Sequence, residues 1–294
     1  MRARLVAAAL VAAASLWSCA ADEPTSREGG KPARQVPLPE NGVRFAVIGD
    51  FGTDGEPQRA VASVMCELHK RARFDDVVTT GDNVYPFGHP DDFQEHFKDP
   101  YECLAEQGVR WHATLGNHDV LTAGGVFEIR DTAFGMPDRY YAWRLGPVRF
   151  TMLDSNNLDP AQLEWMRARL EGARAAPWSV VVFHHPVFSG GAHYGDTPGF
   201  DALLGETFAS TGVDLVLNGH EHLYSRAEDA GVAYVVTGGG GANVYPCVGE
   251  LPPPVRVCES ANHFVAVEAT PRSLTVTPVT LEGTIERVRI APNP

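Results

Sequence analysis

The sequence predicts an α/β fold in which two β-sheets form a sandwich flanked by helices. Three observations carry this. Six short apolar runs recur through residues 43–217, helix-like stretches alternate with them, and residues 264–269 and 274–290 are rich in Val and Thr with alternating polarity. Near-continuous Val, Ile, Leu and Phe over about six residues is what a strand buried on both faces requires. The alternating tail suits antiparallel strands that close a sheet edge.

Taken in order, residues 43–48 run into Gly49-Asp50, residues 76–80 into Gly81-Asp82, and residues 109–115 into Gly116-Asn117-His118-Asp119. Residues 148–153 end at Asp154, residues 179–183 at His184, and residues 213–217 at Asn218-Gly219-His220. A further run, 232–236, precedes Gly238-Gly239-Gly240-Gly241, which reads as a turn that lets backbone pass close to the site. No Gly-Lys-Ser/Thr follows, so it is not a phosphate-binding P-loop. Helices are expected over residues 57–73, 91–106, 160–174 and 198–210. Asp159-Pro160-Ala161-Gln162 reads as an N-cap, a first-turn proline and a reciprocal glutamine, and Thr197-Pro198 repeats the cap and proline. There are no internal repeats, and one catalytic domain is expected over residues 42–294.

In sheets of parallel character, ligands gather beyond the carboxyl ends of the strands. These positions, and the residues just beyond them, hold Asp50, Asp82, Tyr85, Asn117, His184, His220 and His222, all of metal-ligand type. A single acid or imidazole at a strand end is often only a capped turn; a series of them in order argues for a two-metal hydrolase of phosphate esters. A phosphodianion repels an incoming nucleophile, and two metal ions about 3.5 to 4 Å apart supply both positive charge and an ionised water at moderate pH. Asp82 can bridge because a carboxylate has two oxygens with free lone pairs. Tyr85, three residues later, is near enough to reach the same ion, and as tyrosinate it suits a trivalent metal. His220 and His222 are two apart and point the same way in an extended segment.

Gly49-Asp50-Phe51-Gly52, Gly81-Asp82-Asn83-Val84-Tyr85, Gly116-Asn117-His118-Asp119, His184-His185-Pro186 and Gly219-His220-Glu221-His222 together resemble the five motifs of the purple acid phosphatases, within the calcineurin-like metallophosphoesterases. The resemblance covers about residues 42–290, and residues 134–156 also resemble the small tartrate-resistant type. Gly52, where most of the wider superfamily has a histidine, and Tyr85, which most of it lacks, select the purple subclass. The resemblance implies a four-layer αββα sandwich of two mixed sheets. It assigns Asp50, Asp82, Tyr85 and His222 to an Fe(III) site, and Asp82, Asn117, His184 and His220 to a divalent site that accepts Fe, Zn or Mn. It also places His118 and His193 to hydrogen-bond the phosphoryl group and protonate the leaving alkoxide, a role that imidazole fits because its pKa lies near neutrality. The other six histidines have no assigned role, although His89 lies in a loop expected to face the site. Asp154 reads as a carboxylate that supports the ligands or the fold, not as a ligand.

At the N-terminus, Arg2 and Arg4 precede an apolar stretch over residues 5–16, the length of a signal-peptide core and short of the roughly 20 residues that span a bilayer. Leu16-Trp17-Ser18-Cys19 resembles a bacterial lipobox. The expectation is therefore a signal peptide over residues 1–18, a lipidated Cys19, and a flexible tether over residues 19–41, with the protein exported to the periplasm or cell envelope and simple secretion as the alternative. Cys66, Cys103, Cys247 and Cys258 remain, an even number that allows three pairings in an exported chain. Cys247 with Cys258 would staple a Pro-rich loop, and Cys66 with Cys103 would join two helices; four buried thiols are the alternative.

The formal charge of −13 becomes −15 once Arg2 and Arg4 are removed. Such a surface repels nucleic acid, whose binding needs Lys and Arg at phosphates. A small phosphorylated substrate is expected, with no nucleic-acid partner, membrane contact only through Cys19, and a monomeric state. A phosphodiesterase of the same superfamily is the alternative reading, and a non-catalytic metal-binding or phosphate-binding lipoprotein a more distant one.

Overall fold

Strand β1 (Val43–Ile48) pairs in parallel with β2 (Asp76–Thr79), and β2 with β3 (Arg110–His112). The structure, a computed structural model, describes residues 35–172, 176–193 and 199–293. On its other side β1 meets β11 (His263–Thr270) in antiparallel register, followed by β12 (Ser273–Thr280) and β13 (Val288–Ile290). A second sheet orders β10 (Val255–Glu259), β8 (Tyr224–Asp229), β9 (Val232–Thr237), β7 (Leu215–Asn218), β6 (Trp178–Val182), β5 (Val148–Met152) and β4 (Tyr141–Leu145). Its centre, β5-β6-β7-β9, is parallel; β4 pairs antiparallel with β5, β8 with β9, and β10 with β8. The fold is the expected sandwich of two mixed sheets with flanking helices.

The period-2 alternation of strands explains why the central runs are apolar throughout. Val180, Val182, Leu215, Leu217 and Val235 join the core that includes β1, where Phe45 meets Phe150 of β5 edge-to-face at 5.2 Å. Their neighbours along the strands, Val181, Val216 and Tyr234, join a second core beneath α4 (Pro160–Glu171) and α5 (Glu206–Thr211), with Met166, Leu170 and Phe208. Each such side chain contributes roughly 1.5 to 3 kcal/mol by burial. Helix α1 (Glu56–Arg71) presses Val61, Ala62 and Met65 into the first core.

Several local expectations change. Residues 91–106 are not one helix but a 3-10 turn (Pro90–Asp92), a π-type turn (Gln94–Lys98) and the short helix α2 (Glu102–Ala105). Pro100 has no N–H to give to the carbonyl four residues back, that of His96, which instead accepts from Nε2 of Gln58 at 2.7 Å. Asp159 caps α4 as expected, accepting from the Gln162 N–H at 2.8 Å. Gln162 does not reciprocate, because its side chain is buried and bonds both backbone groups of Asp154 and the carbonyl of Asn157. Thr197-Pro198 lies outside the described residues; α5 follows a π-type turn (Asp201–Gly205) and ends at Gly212, in the left-handed conformation. Strands β4, β8 and β10 were not anticipated: each carries exposed polar positions and lacks a continuous apolar run.

The described residues form one compact unit, and Arg44 already binds the carbonyls of Val36 and Pro37 ahead of residue 42. The signal peptide, Cys19 and most of the expected tether lie outside the described residues. The cysteines pair as Cys66–Cys103, joining α1 to α2, and Cys247–Cys258.

Candidate metal centre

Asp50, Asp82 and His220 adopt positive φ values of 57°, 51° and 70° just beyond β1, β2 and β7. Non-glycine residues in this region cost of order 1 to 3 kcal/mol each, and such strain persists where surrounding contacts enforce it. Here the enforcing contacts are visible. Asp50 N–H donates to the Gly81 carbonyl, Phe51 N–H to that of Asp82, and His220 N–H to both carboxylate oxygens of Asp50 at 3.0 and 2.9 Å. The glycines preceding the donors are there for close approach: a side chain at Gly116 would overlap Oδ1 of Asp82, and one at Gly219 would sit 2.5 Å from Oδ2 of Asp50.

All seven predicted residues converge. On one side, the Tyr85 phenol oxygen lies 3.0 Å from Nε2 of His222 and 3.4 Å from Oδ1 of Asp50. On the other, Oδ1 of Asn117 lies 2.9 Å from Nε2 of His184 and 3.0 Å from Nδ1 of His220. Asp82 stands between, its Oδ2 at 2.9 Å from Tyr85 and 3.5 Å from His184. The second nitrogens of two imidazoles are fixed by carbonyls: Nδ1 of His184 donates to Thr80 and Nδ1 of His222 to Asn243, each at 2.9 Å. A ring that donates through one nitrogen presents a lone pair at the other, so lone pairs of N and O face one another across the site.

This donor set fits metal ions. Asp50 and Asp82 are almost wholly buried, and among the described residues neither pairs with a lysine or arginine. Burial raises the Asp50 pKa to about 7, the Asp82 charge adding to it while His222 opposes it. Burial and the two aspartates push the Tyr85 phenol well above its usual value. Anionic ligands so placed call for a cation. The ligand atoms of Asp50, Asp82 and His184, and separately those of His184, His185 and His220, lie within 4.8 Å of one another.

Residues 43–224 match the calcineurin-like phosphoesterase family. Purple acid phosphatase 17 of Arabidopsis thaliana is 30% identical over 243 residues, covering 68% of this chain and 69% of that protein. The chain belongs to the purple acid phosphatases. It is a metal-dependent hydrolase of phosphate esters. Tartrate-resistant acid phosphatase type 5 of Rattus norvegicus is 28% identical, covering 69% of this chain and 73% of its own length. The structure of a purple acid phosphatase from yellow lupin (Lupinus luteus) seeds superposes with a TM-score of 0.73 at 17% identity over 88% of this chain, which spans 54% of the lupin chain. The anchor in the inner membrane complex of Plasmodium has the same fold, with a TM-score of 0.76 at 19% identity, covering 86% of this chain and 90% of that one.

Around the centre of this purple acid phosphatase, the two outer histidines sit differently. His118 gives its backbone N–H to Oδ1 of Asp82 at 2.9 Å, and its Nδ1 meets the Pro86 carbonyl at 2.7 Å, so Nε2 is the nitrogen that can exchange a proton. His193, 46% exposed, approaches Oε2 of the buried Glu221 at 3.4 Å. Asp154 is structural, as expected: it pairs with Arg139 and fixes Asn156, whose amide reaches the Gly116 carbonyl. Gly238 and Gly240 do pass close to Asp50 and Gly49. Of the histidines without assigned roles, His89 caps a turn, His96 meets the Tyr85 carbonyl, and His185 meets Ser155.

Sequence reasoning missed four contributors. Glu221 lies inside a recognised motif, so its signal was present. Asn83, beside Asp82, gives its amide to Asp119 and Glu128 at 3.0 Å each, and its N–H to Asp119, bracing the turn that carries Asp82. Glu128, on the short helix α3 (Val126–Arg130), and Tyr245, whose ring stacks on His222 at 4.2 Å and 14°, carried no local signal.

Proposed function

We propose that this chain hydrolyses small phosphate monoesters as an acid phosphatase, at a dinuclear centre of Fe(III) and a divalent Fe, Zn or Mn. Asp50, Tyr85 and His222 would hold the ferric ion, Asn117, His184 and His220 the divalent one, and Asp82 both. The observation that carries this reading is the place of Asp82 between the two donor groups. When bound, the ions would neutralise phosphoryl charge and lower the pKa of water at the site. His118, anchored through Nδ1, would give the proton on Nε2 to the leaving alkoxide, and His193, backed by Glu221, would bind the phosphoryl oxygens or share that donation.

The acidic surface favours a small substrate over nucleic acid, and the chain is proposed to act as a monomer. The signal-like N-terminus with Cys19 supports an exported lipoprotein, and two disulfides suit an oxidising compartment. Metal analysis of the purified protein, with rates on an aryl monoester and an aryl diester, tests the reading. Two metals including iron and a faster monoester rate are expected; a faster diester rate would move the chain to the phosphodiesterases.

A further inference from the structure

We infer that the Cys247–Cys258 disulfide is a positioning element of the catalytic centre, clamping the two segments that hold His193 and Tyr245 beside His222. The inference rests on the proposed role of His193 as a proton donor.

The disulfide ties the second segment to the edge of the second sheet, and the first segment packs against its Cys258 end. Cys258 lies on β10, paired with Ser225 of β8. The first segment, residues 189–193, passes against it. Gly190 N–H donates to Oγ of Ser225 at 3.0 Å, and its carbonyl oxygen accepts from Val248 N–H at 2.9 Å and lies 3.5 Å from Sγ of Cys258. A side chain at Gly190 would sit 2.7 Å from Cβ and 2.9 Å from Sγ of Cys258, so the strand of backbone fits there only as glycine. Three residues on, His193 reaches Glu221.

The second segment, residues 242–247, is the other jaw. Ala242 N–H donates to the Asp50 carbonyl, the Asn243 carbonyl holds Nδ1 of His222, and Tyr245 N–H donates to the His222 carbonyl, each at 2.9 Å. The Tyr245 ring lies parallel on His222 at 4.2 Å and 4.8 Å from the His193 ring. Two residues later Cys247 makes the covalent link back to β10. Among these contacts only the disulfide holds the second jaw to the sheet by a bond that water cannot replace, and the first jaw packs against its Cys258 end. The bonds of Ala242 to Asp50 and of Asn243 to His222 do not pass through the disulfide, so opening it should keep the metal ligands and loosen the wall that carries His193.

The test compares wild type with Cys247→Ser/Cys258→Ser, both metal-loaded and full-length. Metal content, kcat and KM are measured on glycerol phosphate, a poor leaving group, and on nitrophenyl phosphate, a good one. The expected result is two metals retained, KM little changed, and a kcat loss of about tenfold on the alkyl ester with much less on the aryl ester, a fraction of the range for general acid catalysis. An unchanged alkyl rate, or equal loss on both esters, overturns the inference. Cys66→Ser/Cys103→Ser should keep the alkyl-to-aryl ratio; an equal shift there would show that loss of any disulfide suffices, and also overturns it. Should the first variant not fold, Tyr245→Ala leaves both disulfides intact and should give the same selective loss, its absence counting against the clamp. His193→Ala separates the two readings. A selective loss in it without one in the disulfide variant sinks the clamp alone, whereas no selective loss in it removes the donor assignment and the clamp with it.

Discussion

The phenol oxygen of Tyr85 lies 2.9 Å from Oδ2 of Asp82, three residues earlier in the chain. The same carboxylate oxygen is 3.5 Å from Nε2 of His184, so Asp82 touches both donor groups. Asp82→Ala is therefore expected to empty both metal positions and reduce hydrolysis to background. A variant that keeps two metals per chain by elemental analysis would show that Asp82 does not bridge.

Tyr85 should give the enzyme its colour. A phenolate bound to Fe(III) transfers charge to the metal in the visible range, so iron-loaded protein is expected to be pink to violet and Tyr85→Phe colourless. That variant should retain measurable activity, since Asp50, Asp82 and His222 still surround the position. Visible absorption alongside iron quantification decides it, and a colourless wild type with stoichiometric ferric iron refutes the assignment of Tyr85.

His118, held by the Pro86 carbonyl, is expected to act on the leaving group. His118→Ala should slow hydrolysis of an alkyl phosphate by about 10² to 10⁴ and that of an aryl phosphate much less. Equal losses on both would mean that His118 only binds phosphate or positions Asn117.

Removing the metals should make stability depend on pH in a definite direction. In the metal-free chain Asp50 and Asp119 are raised to about 7, in both cases first by burial. The unfolded carboxyls titrate near 3.8, so between these values the folded state binds more protons. The stability this gives is complete below the unfolded pKa and is lost as pH rises through about 7. The Tm of metal-free protein should fall from about pH 5 to 8, while metal-loaded protein, whose carboxylates are neutralised, stays higher and flatter. A metal-free Tm that is level or rises over that range contradicts the burial argument.

Export is tested in a bacterial host. The full-length chain should sediment with membranes, and Cys19→Ser should release it or block its processing. Wild-type protein found wholly in the soluble periplasm would exclude lipidation.

The sequence by itself determined the central strands and the ligands at their ends. Both follow from local chemistry: a strand buried on two faces must be apolar throughout, and the chain leaving it must deliver its donor in the next few residues. Thus residues 43–48 were legible as β1 and Asp50 as its product. Tertiary structure alone decided the rest. The hairpin and edge strands β4, β8 and β10 are half polar because they bury mainly one face, and their pairing supplies what their sequence does not. The break in the helix expected over residues 91–106 depends on Gln58, some forty residues away, taking the carbonyl that Pro100 cannot serve. The left-handed turns at Asp50, Asp82 and His220, the carbonyls that orient His184 and His222, and the Tyr245 ring over His222 likewise join positions far apart in the chain. Ligand identity is written at single positions, but ligand orientation is set by backbone groups that any residue could supply, and only the fold brings those together.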